Sequence, residues 1–276
     1  MAPTLLGGAA IAGLLAVLYG RILPDMAVDW WTNEGNSHGL LIVPLVVYIV
    51  WRQRGSILAV PAAVDPRGLG LTLAACGTYV VGRVGAEFFL TRMSFVVLLA
   101  GLVWTFWGYE RLRKLAFPVL LLATMVPLPT IVYNQLAAPL QLLASSVATD
   151  TARLLGVAVF REGNIIHLAD TTLGVAEACS GLRSLSSLVI GALLLGYLDL
   201  DRVWARVVLF ALAIPAAIVT NVIRVAGTAL LSDRDPELGT GFYHTFSGWL
   251  VFLAGLAILL VVAKLLKKLS ESRQHI

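Results

Sequence analysis

The sequence predicts an all-α integral membrane protein with about eight transmembrane helices, an interfacial amphipathic helix and a small extracytoplasmic β-hairpin. Three observations predict it. Hydrophobic residues make up 59% of the 276-residue chain and charged residues 13%, with a mean hydropathy of +0.88. A soluble domain of this length has no use for so much apolar surface, so lipid is the solvent for most of the chain. The apolar residues gather into runs near the roughly 20 residues that cross a bilayer, and most charges fall in the short stretches between them.

The candidate spans cover residues 4–23, 38–51, 69–90, 94–109, 115–133, 183–199, 205–231 and 246–263. The first lacks a basic leader and a clear small-residue cleavage site, so it reads as a span and not a signal peptide. The second and fourth are short. The third carries Arg83 and Glu87 near its end, four apart, where they can pair along one helix face. Val126-Pro127-Leu128-Pro129 ends the fifth and turns the chain out of the bilayer. An outer region of about 134–182 follows. Within it, Leu136, Leu140, Leu143, Val147 and Leu154 recur near helical spacing, with Gln141, Ser145, Ser146, Asp150 and Arg153 between them, which predicts an amphipathic helix at the interface over 135–157. Val157–Phe160 and Ile165–Leu168, joined through Arg161-Glu162-Gly163-Asn164, predict a hairpin with a glycine turn. Leu173-Gly174-Val175-Ala176 adds a third short strand. Repeats, low-complexity tracts and Gly/Ser linkers are missing from the sequence, so residues 1–276 are expected to form a single membrane domain.

Cytoplasmic loops of membrane proteins are rich in Lys and Arg. With eight spans and an inside N-terminus, the inside segments hold 12 basic residues against five acidic ones, and the remainder hold eight against 11. Both termini are therefore expected inside. The inverted arrangement would put Asp25, Asp29 and Glu34 in the cytoplasm and the basic run at Lys264, Lys267 and Lys268 outside. The net charge of +4 is no nucleic-acid signature, because the basic residues are spread over short loops. Two cysteines in unlike settings supply neither a disulfide framework nor a metal-ligand spacing, and no cofactor is expected. Cys76, in an apolar segment, reads as a small buried hydrophobe.

Cys179 is different. It lies in Glu177-Ala178-Cys179-Ser180-Gly181-Leu182-Arg183, a polar junction at the start of a span, where unpaired N–H groups and the helix dipole favour the thiolate. The alternative is a packed, inert cysteine. Arg224 lies in Asn221-Val222-Ile223-Arg224, surrounded by apolar residues; a charge there costs about 2.5–3.5 kcal/mol and usually faces a cavity. Snorkelling to the headgroups is the alternative. Asn221, three residues earlier, shares the helix face of Arg224. His244, just before the last span, is a base at the same expected depth as the thiol; His38 is a rival base on the same side. Arg183 suits a thiolate or substrate carboxylate, or equally an interfacial anchor. No role is assigned to His167 or His275.

Glu177–Arg183, Asn221–Arg224 and His244-Thr245-Phe246-Ser247-Gly248 together resemble the exosortase/archaeosortase family of multi-pass membrane cysteine transpeptidases. The likeness extends to Ser37-His38-Gly39-Leu40, Phe117-Pro118, Pro127-Leu128-Pro129 and Gly163-Asn164-Ile165-Ile166. It implies that Cys179 is the nucleophile and that Arg224 and His244 complete the site, with His in third place marking the bacterial type. Glu177, Ser180, Gly181, Arg183, Asn221 and His38 are the supporting or substrate-binding positions. It also implies thioester acyl transfer at the outer face of a bacterial cytoplasmic membrane. The substrates would be exported proteins ending in a short Pro-Glu-Pro-type motif, a transmembrane helix and a basic cluster (PEP-CTERM). The sequence stops soon after the eighth span, so a member without the extra C-terminal domain of some relatives is expected. Two readings from other classes remain beside it. One is a transporter or flippase using Arg83, Glu87 and Arg224; the other is a membrane scaffold that only binds partners.

Overall fold

Proline and glycine divide the apolar runs into more helices than spans. The computed structural model describes residues 2–33, 35–175, 181–235 and 241–272; within its helices the side chains of 2–6, 181–184, 241, 244 and 245 fall outside that description. The helices are α1 (Ala2–Tyr19), α2 (Ile22–Thr32), α3 (Gly39–Leu58), α4 (Gly68–Val84), α5 (Phe88–Trp107), α6 (Tyr109–Lys114), α7 (Ala116–Ala123), α8 (Thr130–Leu154), α9 (Gly181–Asp199), α10 (Val203–Arg234) and α11 (Gly241–Ser272). Strands β1 (Phe160–Glu162), β2 (Ile165–His167) and β3 (Thr172–Gly174) form one antiparallel sheet in that order. The chain divides into two compact units, Met1–Pro129 and Thr130–Ile276.

Among the described residues, α3, α5, α10 and residues Phe246–Ser272 of α11 are long and apolar enough to cross a membrane. The pair α1–α2, bent by 54°, makes a fifth if it counts as one span. Helix α4 and residues Leu185–Asp199 of α9 are apolar but shorter. Four or five helices thus meet the length test where eight spans were expected. The second and fourth expected spans are full-length helices, because α3 continues through Arg52 and α5 begins at Phe88. The fifth, 115–133, is not one helix. Helix α7 stops at Ala123 and α8 starts at Thr130, since Pro127 and Pro129 remove donors and push their predecessors out of helical geometry.

In the first unit α4 and α5 run antiparallel at close range. Gly68 meets Thr105, Thr72 meets Gly101 and Gly82 meets Thr91, each glycine leaving room for the facing backbone. The turn between them breaks the expected third span: α4 ends at Val84, Ala86 takes a positive φ of 50°, and the Glu87 carboxylate accepts from the Leu90 N–H at 2.8 Å as the cap of α5. Arg83 and Glu87 therefore share no helix face, contrary to expectation. Cys76 is exposed on α4 and not buried, because Ala75 takes the inward position.

One end of this unit gathers basic residues. Asp65 accepts from the Trp104 indole at 2.8 Å and the Arg67 N–H at 3.0 Å, and Arg111 Nε donates to the Val60 carbonyl at 2.9 Å. The Trp104 indole, more than any other group, holds the Asp65 carboxyl below the usual carboxylate range. This end carries Arg52, Arg54, Arg67 and the α6 cations Arg111, Arg113 and Lys114. At the other end the Trp30 indole donates to the Met125 carbonyl at 3.0 Å, and Arg92 pairs with Asp29 at 3.0 Å.

In the second unit α8 turns its small residues to the core. Its leucine face is outward, with Leu136, Leu143 and Leu154 exposed, while Ala137, Ala144, Ser145, Ala148, Thr149 and Ala152 are buried. Ala144 and Ala148 share a core with Val225, Ala226 and Ala229 of α10 and with Ile166, Leu168, Leu173 and Val175 from the sheet region. In lipid, large apolar side chains gain little by turning inward, whereas small ones let helices approach. The hairpin exists but is shifted: Glu162 pairs with Ile165 and the turn is Gly163-Asn164, with Gly163 at φ +62°. The Ser145 hydroxyl and Gln141 bind this turn to α8. Helices α9, α10 and α11 share an alanine- and leucine-rich core in which Leu200, Ala205 and Leu266 meet. Arg202, Arg206, Lys264, Lys267 and Lys268 consequently gather at one end of that trio.

The Asp29–Arg92 pair yields a stability test, since the two side chains are 25% and 16% exposed. Arg92→Met strands a carboxylate and is expected to lower stability by about 2 kcal/mol, below the fully buried range because both heads keep some exposure. Arg92→Met with Asp29→Leu should restore near-native thermal unfolding in detergent.

Candidate active site

The register of three helices fixes which residues share a level. In the α9–α10 pair, Gly196 lies against Arg206, 3.6 Å from the place its Cβ would take, and Leu185 lines a cleft with Ala217. Continuing one residue for one along these antiparallel helices brings Gly181, the first residue of α9, level with Asn221. In the α10–α11 pair, Leu209 and Ala213 share a core with Ala263 and Leu259, and the same register carries up to Arg224 and Gly248. The contact is direct: a Cβ on Gly248 would lie 3.1 Å from Arg224 Nη2 and 3.2 Å from its Cζ. The guanidinium therefore rests on bare backbone of α11, one turn after position 244.

Below that level lies a small cleft, about 10 Å³, lined by Leu140, Leu185, Ala217, Ile218, Asn221 and Val222. It has room for about one water molecule. Asn221 is 4% exposed, and its Oδ1 has no hydrogen-bond partner among the described residues. A buried orphan acceptor of this kind costs roughly 1–3 kcal/mol, so its presence needs a reason outside packing.

Glu177, Cys179 and Ser180 lie outside the described residues. Their described neighbours are well anchored. Val175, 1% exposed, packs with Val225, Ala226 and Ala229, and Gly181 opens α9 level with Asn221. Gly181 and Arg183 belong to α9 and His244 to α11 by backbone, their side chains falling outside the description. Along α10, Asn221 thus lies level with the start of α9, and the Arg224 head, one turn further on, lies on Gly248 of α11. That collection suits a reaction which builds negative charge beside an apolar wall.

The sequence from residue 30 to residue 261 matches the family described as Transmembrane exosortase (Exosortase_EpsH), across both compact units. The chain belongs to the transmembrane exosortase family. No curated protein and no solved structure matches it. This exosortase is accordingly a multi-pass membrane protein, of a family whose members are generally transpeptidase-like enzymes acting on exported proteins.

His38, the second candidate base, belongs to the first unit of the exosortase. Its Nε2 lies 3.2 Å from the Thr124 carbonyl, and its ring also interacts with the backbone of Gly35. Burial, the largest influence, holds its pKa below the ordinary value of 6.5 in spite of those carbonyls. A neutral imidazole has one N–H to give a backbone carbonyl and keeps one lone pair. Through that contact His38 ties the start of α3 to the end of α7. Sequence reasoning missed Arg92 because the expected spans left it in a three-residue loop, whereas α5 begins at Phe88 and draws it against Asp29.

Two outcomes follow from these placements. Because the folded-state pKa of His38 is depressed, its contribution to stability is present above about pH 6.5 and lost as pH falls through the lowered value; His38→Gln should flatten that part of the profile of melting temperature against pH. Asn221→Leu removes the orphan acceptor, so melting temperature should hold or rise while processing of a signal-bearing reporter falls.

Proposed function

We propose that this exosortase is a cysteine transpeptidase of the outer face of a bacterial cytoplasmic membrane, with Cys179, Arg224 and His244 as its catalytic residues. The reading rests most on one observation: the Arg224 guanidinium lies on Gly248, one turn from position 244 and one turn along α10 from Asn221, which is level with the start of the helix that follows Cys179. The orientation, with both termini inside, is supported by the basic residues collected at one end of each unit.

The chemistry is acyl transfer. Cys179 gives its proton to His244, and the thiolate attacks the scissile carbonyl, forming a C–S bond. The oxyanion that develops is offset by Arg224 and by N–H groups at the start of α9. Collapse breaks the C–N bond, and the leaving amine takes the proton back from His244. An amine, hydroxyl or water then attacks the thioester, gives up its proton to His244 and releases the thiolate. Glu177, Ser180, Gly181, Arg183 and Asn221 are assigned supporting roles. The substrate is an exported protein whose C-terminus carries a Pro-Glu-Pro-type motif, a transmembrane helix and a basic cluster. That helix docks beside α10 and α11, with its basic cluster on the same side as Lys264, Lys267 and Lys268.

Cys179→Ala should leave membrane insertion and melting temperature unchanged and abolish cleavage of such a reporter, read by gel shift in whole cells. Arg224→Lys keeps the charge but not the planar fork and should lose at least about tenfold in rate, or about 1.4 kcal/mol of transition-state stabilisation. Full cleavage by the Cys179→Ala protein would rule out the thioester route.

A further inference from the structure

Glycine is the least favourable residue after proline inside a helix, and Gly248 lies well inside α11. Other glycines of this chain face open space, as Gly7, Gly13, Gly70, Gly77 and Gly227 do, or receive neutral side chains, as Gly255 receives Leu188. At Gly248 the missing side-chain volume is filled by a charged head group, with Nη2, Cζ and Nη1 of Arg224 at 3.1, 3.2 and 3.6 Å.

We propose that Gly248 is a positioning residue whose absent side chain forms the seat of the Arg224 guanidinium and so sets where its donors meet the reacting carbonyl. The proposal rests on the acyl-transfer reading above and adds a residue to it. A flat guanidinium on bare helix backbone is restrained from one side, so it loses less freedom when an oxyanion forms than a head free to swing. A Cβ at this position requires the guanidinium to yield by a few tenths of an ångström; a longer side chain expels it. A misplacement of about 1 Å in a catalytic group can cost about 10²-fold in rate.

The test is a double-mutant cycle in the full chain, in membranes for activity and in detergent for stability. The reporter carries the C-terminal motif, helix and basic cluster. Gly248→Ala should process it at close to the native rate, and Gly248→Leu should lose about 10²-fold. In an Arg224→Ala background, Gly248→Leu should cause no further loss, because the two residues act as one. Melting temperature provides a readout independent of substrate: Gly248→Leu should lower it when Arg224 is present and raise it in Arg224→Ala, where the leucine fills the vacated seat. A change of the same sign in both backgrounds, or native-rate processing by Gly248→Leu, overturns the proposal. Native-rate processing by Arg224→Ala also overturns it, whereas native-rate processing by Cys179→Ala overturns the acyl-transfer reading instead.

Discussion

A guanidinium among apolar helices has to be held by something, because leaving it in lipid costs about 2.5–3.5 kcal/mol even on a lenient scale. Here the head packs into the α10–α11 seam. Arg224 extends from a helix whose neighbouring positions Val225 and Ala226 are buried, and its head settles where α11 has no side chain. Such a contact tolerates little sliding. A shift of one residue in the α10–α11 register would put Ser247 or Trp249 under the guanidinium, so the packing of Leu209 and Ala213 against Ala263 and Leu259 far along the seam also decides where the charge lies.

Lipid as solvent explains the rest of the packing. On α8 of this exosortase Leu136, Leu143 and Leu154 are exposed while Ala137, Ala144, Ser145, Ala148 and Ala152 are buried. Close approach between small residues supplies the dispersion contacts that hold helices together when burial from water no longer drives them. The same logic joins α4 to α5 through glycine–threonine contacts. Polar groups left inside such seams are conspicuous. Asn221 is one, and it occupies the level at which α9 begins.

Hydropathy and residue patterning made the membrane class, the helical content and the hairpin legible, and the seven-residue run at Glu177–Arg183 with its distant companions pointed to the family. What remained hidden depended on contacts between segments. Proline spacing signalled that the fifth expected span ends, but not that α7 would close after eight residues. The i,i+4 spacing of Arg83 and Glu87 suggested a pair, whereas the break at Ala86 turns Glu87 into a cap. The period of α8 was legible, but not that its alanines and Ser145 would form the side packed on the core, because the period alone does not say which solvent surrounds a helix. The Arg224 position drew attention in the sequence through its apolar neighbours; its partner Gly248 carried no such signal, since a glycine that accommodates a charge looks like any other in a membrane helix.

The account turns on a covalent bond between substrate and Cys179 beside Arg224. The most direct measurement is mass spectrometry of the Cys179 peptide after acid quench of membranes turning over a signal-bearing substrate. The account predicts a hydroxylamine-sensitive acyl adduct on Cys179 carrying the N-terminal side of the cleaved bond. Continued turnover with Cys179 unmodified, or an adduct on a different residue, would contradict it.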